Sequence, residues 1–285
     1  MGLAEEAKSF LNQLNASARK KLGQNFMVSE NELSFIADAA GLEPGDTALE
    51  IGPGLGFLTR FLLEKKARVL AVEKDKLYAR FLRDHFKKDD FFLLEGDILK
   101  INLKKDLEIS SPIKVVGNIP YNITSPILEW LIGQRSLVSS AVLTTQKELA
   151  ERLAAQPGNK SWGSLSVFLQ VYADVTFLRK IGPGSFYPSP KVDSAVIRLE
   201  FLKAARFSIT DETLFFKLVR RAFQKRRKMI LNALSDETDQ KLSKASLSEA
   251  LTRSHIDFTR RPETLTIAEW AKLCEILSRR TTASS

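Results

Sequence analysis

Thr47-Ala48-Leu49-Glu50-Ile51-Gly52-Pro53-Gly54-Leu55-Gly56 is the stretch on which the reading of this chain turns. Its first half is short and apolar, the pattern of a buried strand. Its second half is glycine-rich, and the helical pattern of Phe57–Lys65 begins directly after it. Strand, glycine turn and helix together form the opening unit of a doubly wound α/β sheet. Glycines at such a turn let the backbone run close to a ligand where a Cβ would clash. A lone glycine run is weak as a motif, and its nearest relative is the dinucleotide-binding turn. The acid ahead of the glycines and Pro53 among them tilt the reading away from that use.

The same alternation continues outward. Strands are expected at Arg68–Val72, Phe91–Glu95, Lys114–Gly117 and Ala141–Thr145. Helices are expected at Lys76–Phe86, Ser125–Leu131 and Lys147–Ala155, and a further one at Leu165–Tyr172. Val175–Arg179 and Ala195–Phe201 read as two closing strands. Upstream, Leu3–Leu14 is amphipathic, Arg19-Lys20-Lys21 is basic, and Glu30–Ala40 is a second helix stopped by Gly41. Strands alternating with helices predict a mostly parallel, Rossmann-like sheet. Past Lys203 the pattern becomes helical only, at Asp211–Leu234, Asp236–Lys244, Ser246–Ser254 and Thr266–Leu277. The expected organisation is therefore an α/β catalytic domain over residues 1–203 and a smaller all-α domain over 204–285.

Composition narrows the class. The 285 residues carry a formal net charge of +9, which biases the surface toward polyanions, nucleic acid first. A single cysteine, Cys274, excludes an internal disulfide and fits a reducing compartment. Two separated histidines, His85 and His255, give no metal-ligand spacing, so no metal is expected. No apolar run is long enough to span a membrane, and the acidic first residues lack a signal-peptide layout. A cytoplasmic protein, working as a monomer, is the expectation.

Three acids stand at successive strand ends: Glu50, Glu73 and Asp97. Open α/β sheets bind ligands at the carboxyl ends of their strands. Glu73 falls about twenty residues after the glycine loop, where an acid takes ribose hydroxyls. Asp97 is placed to meet an adenine amine. With no Lys or Arg in the loop and no Gly-Lys-Ser/Thr phosphate loop, the pattern favours S-adenosylmethionine over a nucleotide.

Asn118-Ile119-Pro120-Tyr121 closes the fourth of these strands. An amide oxygen and a nearby backbone carbonyl, of Ile119 or Pro120, can accept both N–H groups of a nucleobase amine while Tyr121 stacks on the ring. Those bonds would help localise the nitrogen lone pair and stabilise charge growing on it during methyl transfer. A second aromatic cluster, Ser185 through Ser194, offers Phe186 for the other face of the base. Extruding a base costs a few kcal/mol, and stacking returns about 1–3 kcal/mol per base.

Taken in order, Glu50–Gly56, Glu73, Asp97, Asn118–Tyr121 and Phe186–Ser194 resemble the ribosomal RNA adenine N6-dimethyltransferase family over nearly the whole chain. The likeness is closest to the bacterial small-subunit group. Lys21-Leu22-Gly23-Gln24-Asn25-Phe26 is similar to the family's opening motif. The resemblance implies that Asn25, Met27, Gly52, Glu73, Asp97 and Asn118 contact S-adenosylmethionine, and that Asn118, Pro120, Tyr121 and Phe186 hold the target adenine. It implies a 16S rRNA substrate within the small subunit, with four methyls going to two adjacent adenosines near the 3′ end, and a part in subunit biogenesis. Met27 stands where Leu is usual, Trp162 for Tyr, Ser164 for Arg and Lys225 for Gln.

The helix expected at Asp211–Leu234 carries Arg220, Arg221, Lys225, Arg226, Arg227 and Lys228 beside an apolar stripe. The resemblance favours phosphate contact over a merely solvated face. Neutralising about four phosphates would make log affinity fall with log salt at a slope of about −3 to −4. Arg19, Lys20, Lys21, Lys147 and Arg152 are weaker candidates for the same surface, and Arg260-Arg261-Pro262-Glu263 is either another contact or a helix-start turn. The competing readings are a large-subunit, macrolide-resistance type of adenine methyltransferase and a mainly non-catalytic rRNA-binding assembly factor. A NAD-dependent reductase is more distant.

Overall fold

Glu50 and Val116 face each other across two parallel strands, and that register organises the α/β unit. In this computed structural model, residues 2–14, 25–87, 89–236 and 242–279 are described. Arg19-Lys20-Lys21, the Lys21–Gln24 part of the opening motif and most of the helix expected at Asp236–Lys244 lie outside them.

The strands are β1 (Phe26–Met27), β2 (Thr47–Ile51), β3 (Arg68–Glu73), β4 (Phe91–Glu95), β5 (Ile113–Asn118), β6 (Val138–Gln146), β7 (Ala173–Ile181), β8 (Phe186–Tyr187) and β9 (Ser194–Phe201). Seven form one sheet in the order β4-β3-β2-β5-β6-β9-β7. The pairs from β4 through β6 are parallel, and β9 returns antiparallel to β6. From β2 the chain builds outward through β3 to β4. It then restarts on the other side of β2 with β5 and β6. The switch point, where such sheets bind ligands, lies between β2 and β5.

Helices α1 (Leu3–Gln13), α2 (Glu30–Ala39), α3 (Phe57–Glu64), α4 (Lys76–His85), α5 (Leu103–Asp106) and α6 (Thr124–Gly133) belong to the same unit. They form because their apolar residues recur at helical spacing. In α4, for example, Tyr78, Ala79, Phe81 and Leu82 are buried, and Asp75 caps the first turn by accepting from the Leu77 N–H at 2.9 Å. Helix α1 docks through Phe10, whose ring lies 4.8 Å from Phe81 and 5.1 Å from His85. An ion pair from Glu6 to Arg60 of α3 holds it further.

One small sheet has no local signal in the sequence. β1 and β8 pair antiparallel, Phe26 with Tyr187 and Met27 with Phe186. Two-residue strands are too short for any alternation to be read.

The remaining helices are α7 (Lys147–Ala154), α8 (Ser164–Gln170), α9 (Glu212–Gln224), α10 (Ile230–Leu234), α11 (Lys244–Arg253) and α12 (Ile267–Arg279). Two compact units result: residues 1–150 with 174–203, and residues 151–173 with 204–285. The cut at Lys203 coincides with the expected boundary. Residues 151–173, counted with the first domain by their position in the chain, fold with the helical unit instead. Backbone bonds explain this: Gly158 N–H donates to Glu263 O at 2.8 Å, and Arg206 N–H to Val171 O at 2.8 Å.

The helix expected over Asp211–Leu234 is also two helices. α9 ends at Gln224, Lys225–Met229 make a turn, and α10 begins at Ile230. Like charges one turn apart, as at Arg221 and Lys225, disfavour a helix, and this turn is held by Arg226, which binds Glu263 at 2.6 Å and Lys160 O at 2.7 Å. Of the apolar stripe expected at Leu214, Phe215, Leu218, Ala222 and Ile230, all but the half-buried Leu214 are buried, and Val219 joins them.

Candidate active site

A cavity opens at the switch point. Its lining includes Asn25, Met27, Glu50, Gly52, Gly54, Glu73, Asn118, Ile119, Pro120 and Tyr121, all contributed by the α/β unit. Residues from four separate stretches of sequence thus meet around one space.

The β2 side is built from backbone. Gly52, Gly54 and Gly56 have φ of +65°, +59° and +76°, a left-handed region in which side chains are strained. A Cβ on Gly52 would meet no protein atom within 4 Å, so the space beside it belongs to the cavity. The loop is tied down by Gly52 N–H to Val72 O at 2.9 Å and by Gly54 N–H to Glu73 Oε2 at 3.0 Å. Glu73 Oε1 accepts from the Asp75 N–H at 2.8 Å. Glu73 therefore shapes the glycine loop as well as facing the cavity.

Glu50, read in the sequence only as one of three acids, is 1% exposed, and its Oε2 accepts from Thr59 Oγ1 at 2.7 Å. Burial drives its pKa up to about 8, against the Thr59 bond and with a further push from Glu73. Glu73 is raised too, chiefly by burial. Thr59 was not legible as Glu50's partner, because no periodic pattern links a strand end to a residue nine positions on.

The β5 side is built from side chains. Asn118 Nδ2 donates to Asn25 O at 2.9 Å. With the amide's donor committed there, Oδ1 is the atom that remains to accept. Gly117, just before it, is forced to be small: a Cβ would lie 2.7 Å from Ile119 Cδ1 and 3.1 Å from Ile51 O. Pro120 O accepts from the Ile123 N–H at 3.1 Å and starts the turn that carries Tyr121. The Tyr121 hydroxyl bonds Ser194 Oγ at 2.6 Å, and burial raises its pKa, so it stays protonated at neutral pH. Ser194 was visible in the sequence only as part of the aromatic loop.

Two of the expected residues sit elsewhere. Asp97 is not among the lining residues. It ends the neighbouring strand, where its Oδ2 pairs with Lys74 Nζ at 2.8 Å and its Oδ1 caps Leu99 N–H. The Lys74 bond holds its pKa below the usual carboxylate range. Phe186 is 4% exposed and packs in the core beside its strand partner Met27. Its ring would have to leave that core to stack on a base. The reason is the β1–β8 pairing, which fixes Phe186 by its backbone.

The basic set in the helical unit also divides. Arg220, Lys225, Arg227 and Lys228 are exposed. Arg221 is engaged inward, donating to Leu234 O at 2.8 Å and Ser235 O at 2.6 Å and pairing with Asp236 at 2.7 Å. Arg226 is held by Glu263 and Lys160 as described. Trp162 is fully buried, which makes the Tyr-to-Trp difference a matter of core packing.

A glycine-cradled cavity with buried acids thus lies beside an amide whose oxygen remains to accept a hydrogen bond. A profile of ribosomal RNA adenine dimethylases matches residues 15–277. The chain belongs to that family. It is 40% identical over 280 residues to the "Ribosomal RNA small subunit methyltransferase A" of Alkaliphilus oremlandii (strain OhILAs), covering 97% of each chain. The protein of the same name from Clostridium botulinum (strain Okra / Type B1) is 39% identical, covering 95% of this chain and 98% of the relative. Among solved structures, the 23S rRNA methyltransferase ErmE superposes with a TM-score of 0.70 at 26% identity, covering 89% of this chain and all of that one. A dimethyladenosine transferase from Plasmodium falciparum shares the fold, with a TM-score of 0.73 at 24% identity over 89% of this chain and 97% of that one.

The chain is thus an rRNA adenine dimethyltransferase that uses S-adenosylmethionine. The cavity suits that cofactor in kind. It offers open space at Gly52, carboxyl oxygens that can accept hydrogen bonds, and no Lys or Arg among its described lining residues. No helix among the described residues is long and apolar enough to cross a membrane.

Proposed function

We propose that this protein dimethylates N6 of two adjacent adenosines near the 3′ end of 16S rRNA in the small ribosomal subunit, in the cytoplasm, and acts as a monomer. The observation that carries the chemistry is the pinned amide of Asn118. Its Oδ1 accepts one N–H of the adenine amine. Pro120 O is already engaged by Ile123 N–H and Thr124 Oγ1, which favours Ile119 O as the second acceptor. Two acceptors orient the nitrogen and stabilise the positive charge that grows on it. Tyr121, anchored through Ser194, stacks on the base. Phe186 positions Met27 through the β1–β8 pair in the conformation described, and reaches the base only by leaving the core.

S-adenosylmethionine supplies the electrophilic methyl group. Asn25, Met27, Gly52, Glu73 and Asn118 hold it, with Asp97 contributing from the end of β4. Arg220, Lys225, Arg227 and Lys228 contact phosphates, while Arg221 and Arg226 maintain the helical unit that presents them.

The small-subunit substrate is favoured by relatives of that name at 39–40% identity over nearly the full length of both chains, against 26% for the 23S enzyme. The test is incubation with labelled cofactor and under-methylated small subunits, large subunits or naked rRNA, followed by nucleoside mapping. Dimethyladenosine in small-subunit RNA alone is the expected result. Label in 23S rRNA, or none at all, would refute it.

A further inference from the structure

Of the large apolar side chains that are exposed, two lie on segments of the helical unit that the backbone joins. Met229 is 43% exposed and Phe258 is 47% exposed. The Ile230 N–H donates to Arg260 O at 2.7 Å, so the turn before α10 and the turn after α11 run side by side. The Arg226–Glu263 pair ties the same two segments a second time. Arg260 is itself locked to Glu269 and, at 2.6 Å, to Thr264 O. The segments that carry Met229 and Phe258 are therefore fixed against each other.

Their surroundings are cationic. Lys225, Arg227, Lys228 and Arg261 are exposed, and none carries a salt bridge to another described residue. One exposed carboxylate adjoins them: Asp257, which accepts from the Thr259 N–H and Oγ1 at 2.8 Å each and stays ionised, so the cations outnumber it four to one. Phe92, which is similarly exposed, has its face covered by the Arg68 guanidinium at 4.3 Å. Among the described residues Phe258 has no such cover.

We infer that Phe258 and Met229 form a stacking platform for one unpaired RNA nucleotide, with Lys225, Arg227, Lys228 and Arg261 receiving the flanking phosphates. An exposed ring within a field of cations is the arrangement by which single strands are held: phosphates are attracted by charge, and any base can offer its π-face. A purely basic face would need no ring. A protein partner's apolar patch would gain nothing from four cations that must be desolvated around it. The inference rests on the rRNA reading for the identity of the strand, but the platform lies in a different unit from the methyl-transfer cavity.

The experiment uses the full chain, fluorescence anisotropy, and two labelled single-stranded RNAs with equal phosphate number, one normal and one with abasic sites. Phe258→Ala should weaken binding of the normal strand by about 5- to 150-fold, the range of one base–aromatic stack. It should leave the abasic strand and the slope against log salt unchanged, and Phe258→Tyr should restore affinity. Arg227→Ala and Lys228→Ala should each lower the slope by about 1 on both strands. Unchanged helical circular dichroism and an unchanged thermal unfolding profile show that the variants are folded. Equal binding of the normal strand by the Phe258→Ala variant overturns the inference, as does failure of the unaltered chain to bind either strand at low salt. Loss of binding to ribosomal proteins with RNA binding intact also overturns it, and assigns the patch to a protein. If Phe258 governs strand binding while no rRNA is methylated, the platform stands and the rRNA reading falls; methylation without Phe258 dependence gives the reverse.

Discussion

At the end of β2 the chain presents backbone; at the end of β5, one strand over, it presents a side chain. The glycine loop is fixed by left-handed dihedrals and by its N–H groups donating to Val72 O and to the Glu73 side chain, and its character comes from carboxyl groups that titrate. The Asn118 turn is fixed by an amide clamp on Asn25, and its two reactive-side groups, a carboxamide and a raised phenol, stay neutral near pH 7. One side can respond to protons and the other cannot. The switch point thus supplies two different walls, one that titrates and one that stays neutral, from neighbouring strands.

Removing the amide tests the β5 side most severely. Asn118→Ala should lower turnover by at least about 100-fold, the loss expected when an oriented acceptor for developing charge disappears. RNA affinity, measured by filter binding, should be unchanged; retained turnover would break the assignment.

The β2 side is tested by pH. Glu50 holds its proton in the folded chain up to about pH 8, whereas an unfolded glutamate releases it near 4.5. The folded state then binds more protons across that window, so stability should fall as pH rises from about 4.5 to 8, by on the order of a few kcal/mol. Glu73 pulls in the same direction. Glu50→Gln keeps an oxygen for Thr59 and should flatten the fall, read from thermal unfolding over a pH series. An unflattened curve would mean that Glu50 is ionised in place.

Gly117→Ala probes the seam between the two strands, since its Cβ would press on Ile119 and Ile51 together. It should cost about 1–3 kcal/mol, seen as a lower Tm, with turnover reduced more than cofactor affinity. The smallest effect belongs to Tyr121→Phe, which deletes only the Ser194 bond: about 1 kcal/mol of stability, with turnover within a few-fold because the ring remains.

How much of this was legible in the sequence follows from what carries a local period. β2 and β4 were read with the bounds they have, because short apolar runs flanked by turns mark buried parallel strands. The cavity's Gly52, Glu73 and Asn118 were legible because open sheets bind at strand ends. The misses are long-range. The pairing of Met27 with Phe186 leaves no trace in either neighbourhood, so the burial of the ring expected at the base was not legible. The basic run looked continuous as a helix, yet Glu263, 37 residues away, draws Arg226 into a turn. Residues 151–173 fold with the helical unit for the same reason, through bonds to Glu263 and Arg206.

The two-residue ribbon of β1 and β8 sets an order of events when the chain is made from its N-terminus. Met27 emerges early, but its partner Phe186 follows about 160 positions later. The parallel core from β2 to β6 can assemble first, because its pairings are closer in sequence. The wall that Met27 contributes waits for the second aromatic segment. A nascent chain shorter than that lacks the β1–β8 ribbon, and with it the strand partner that holds Met27 at the cavity.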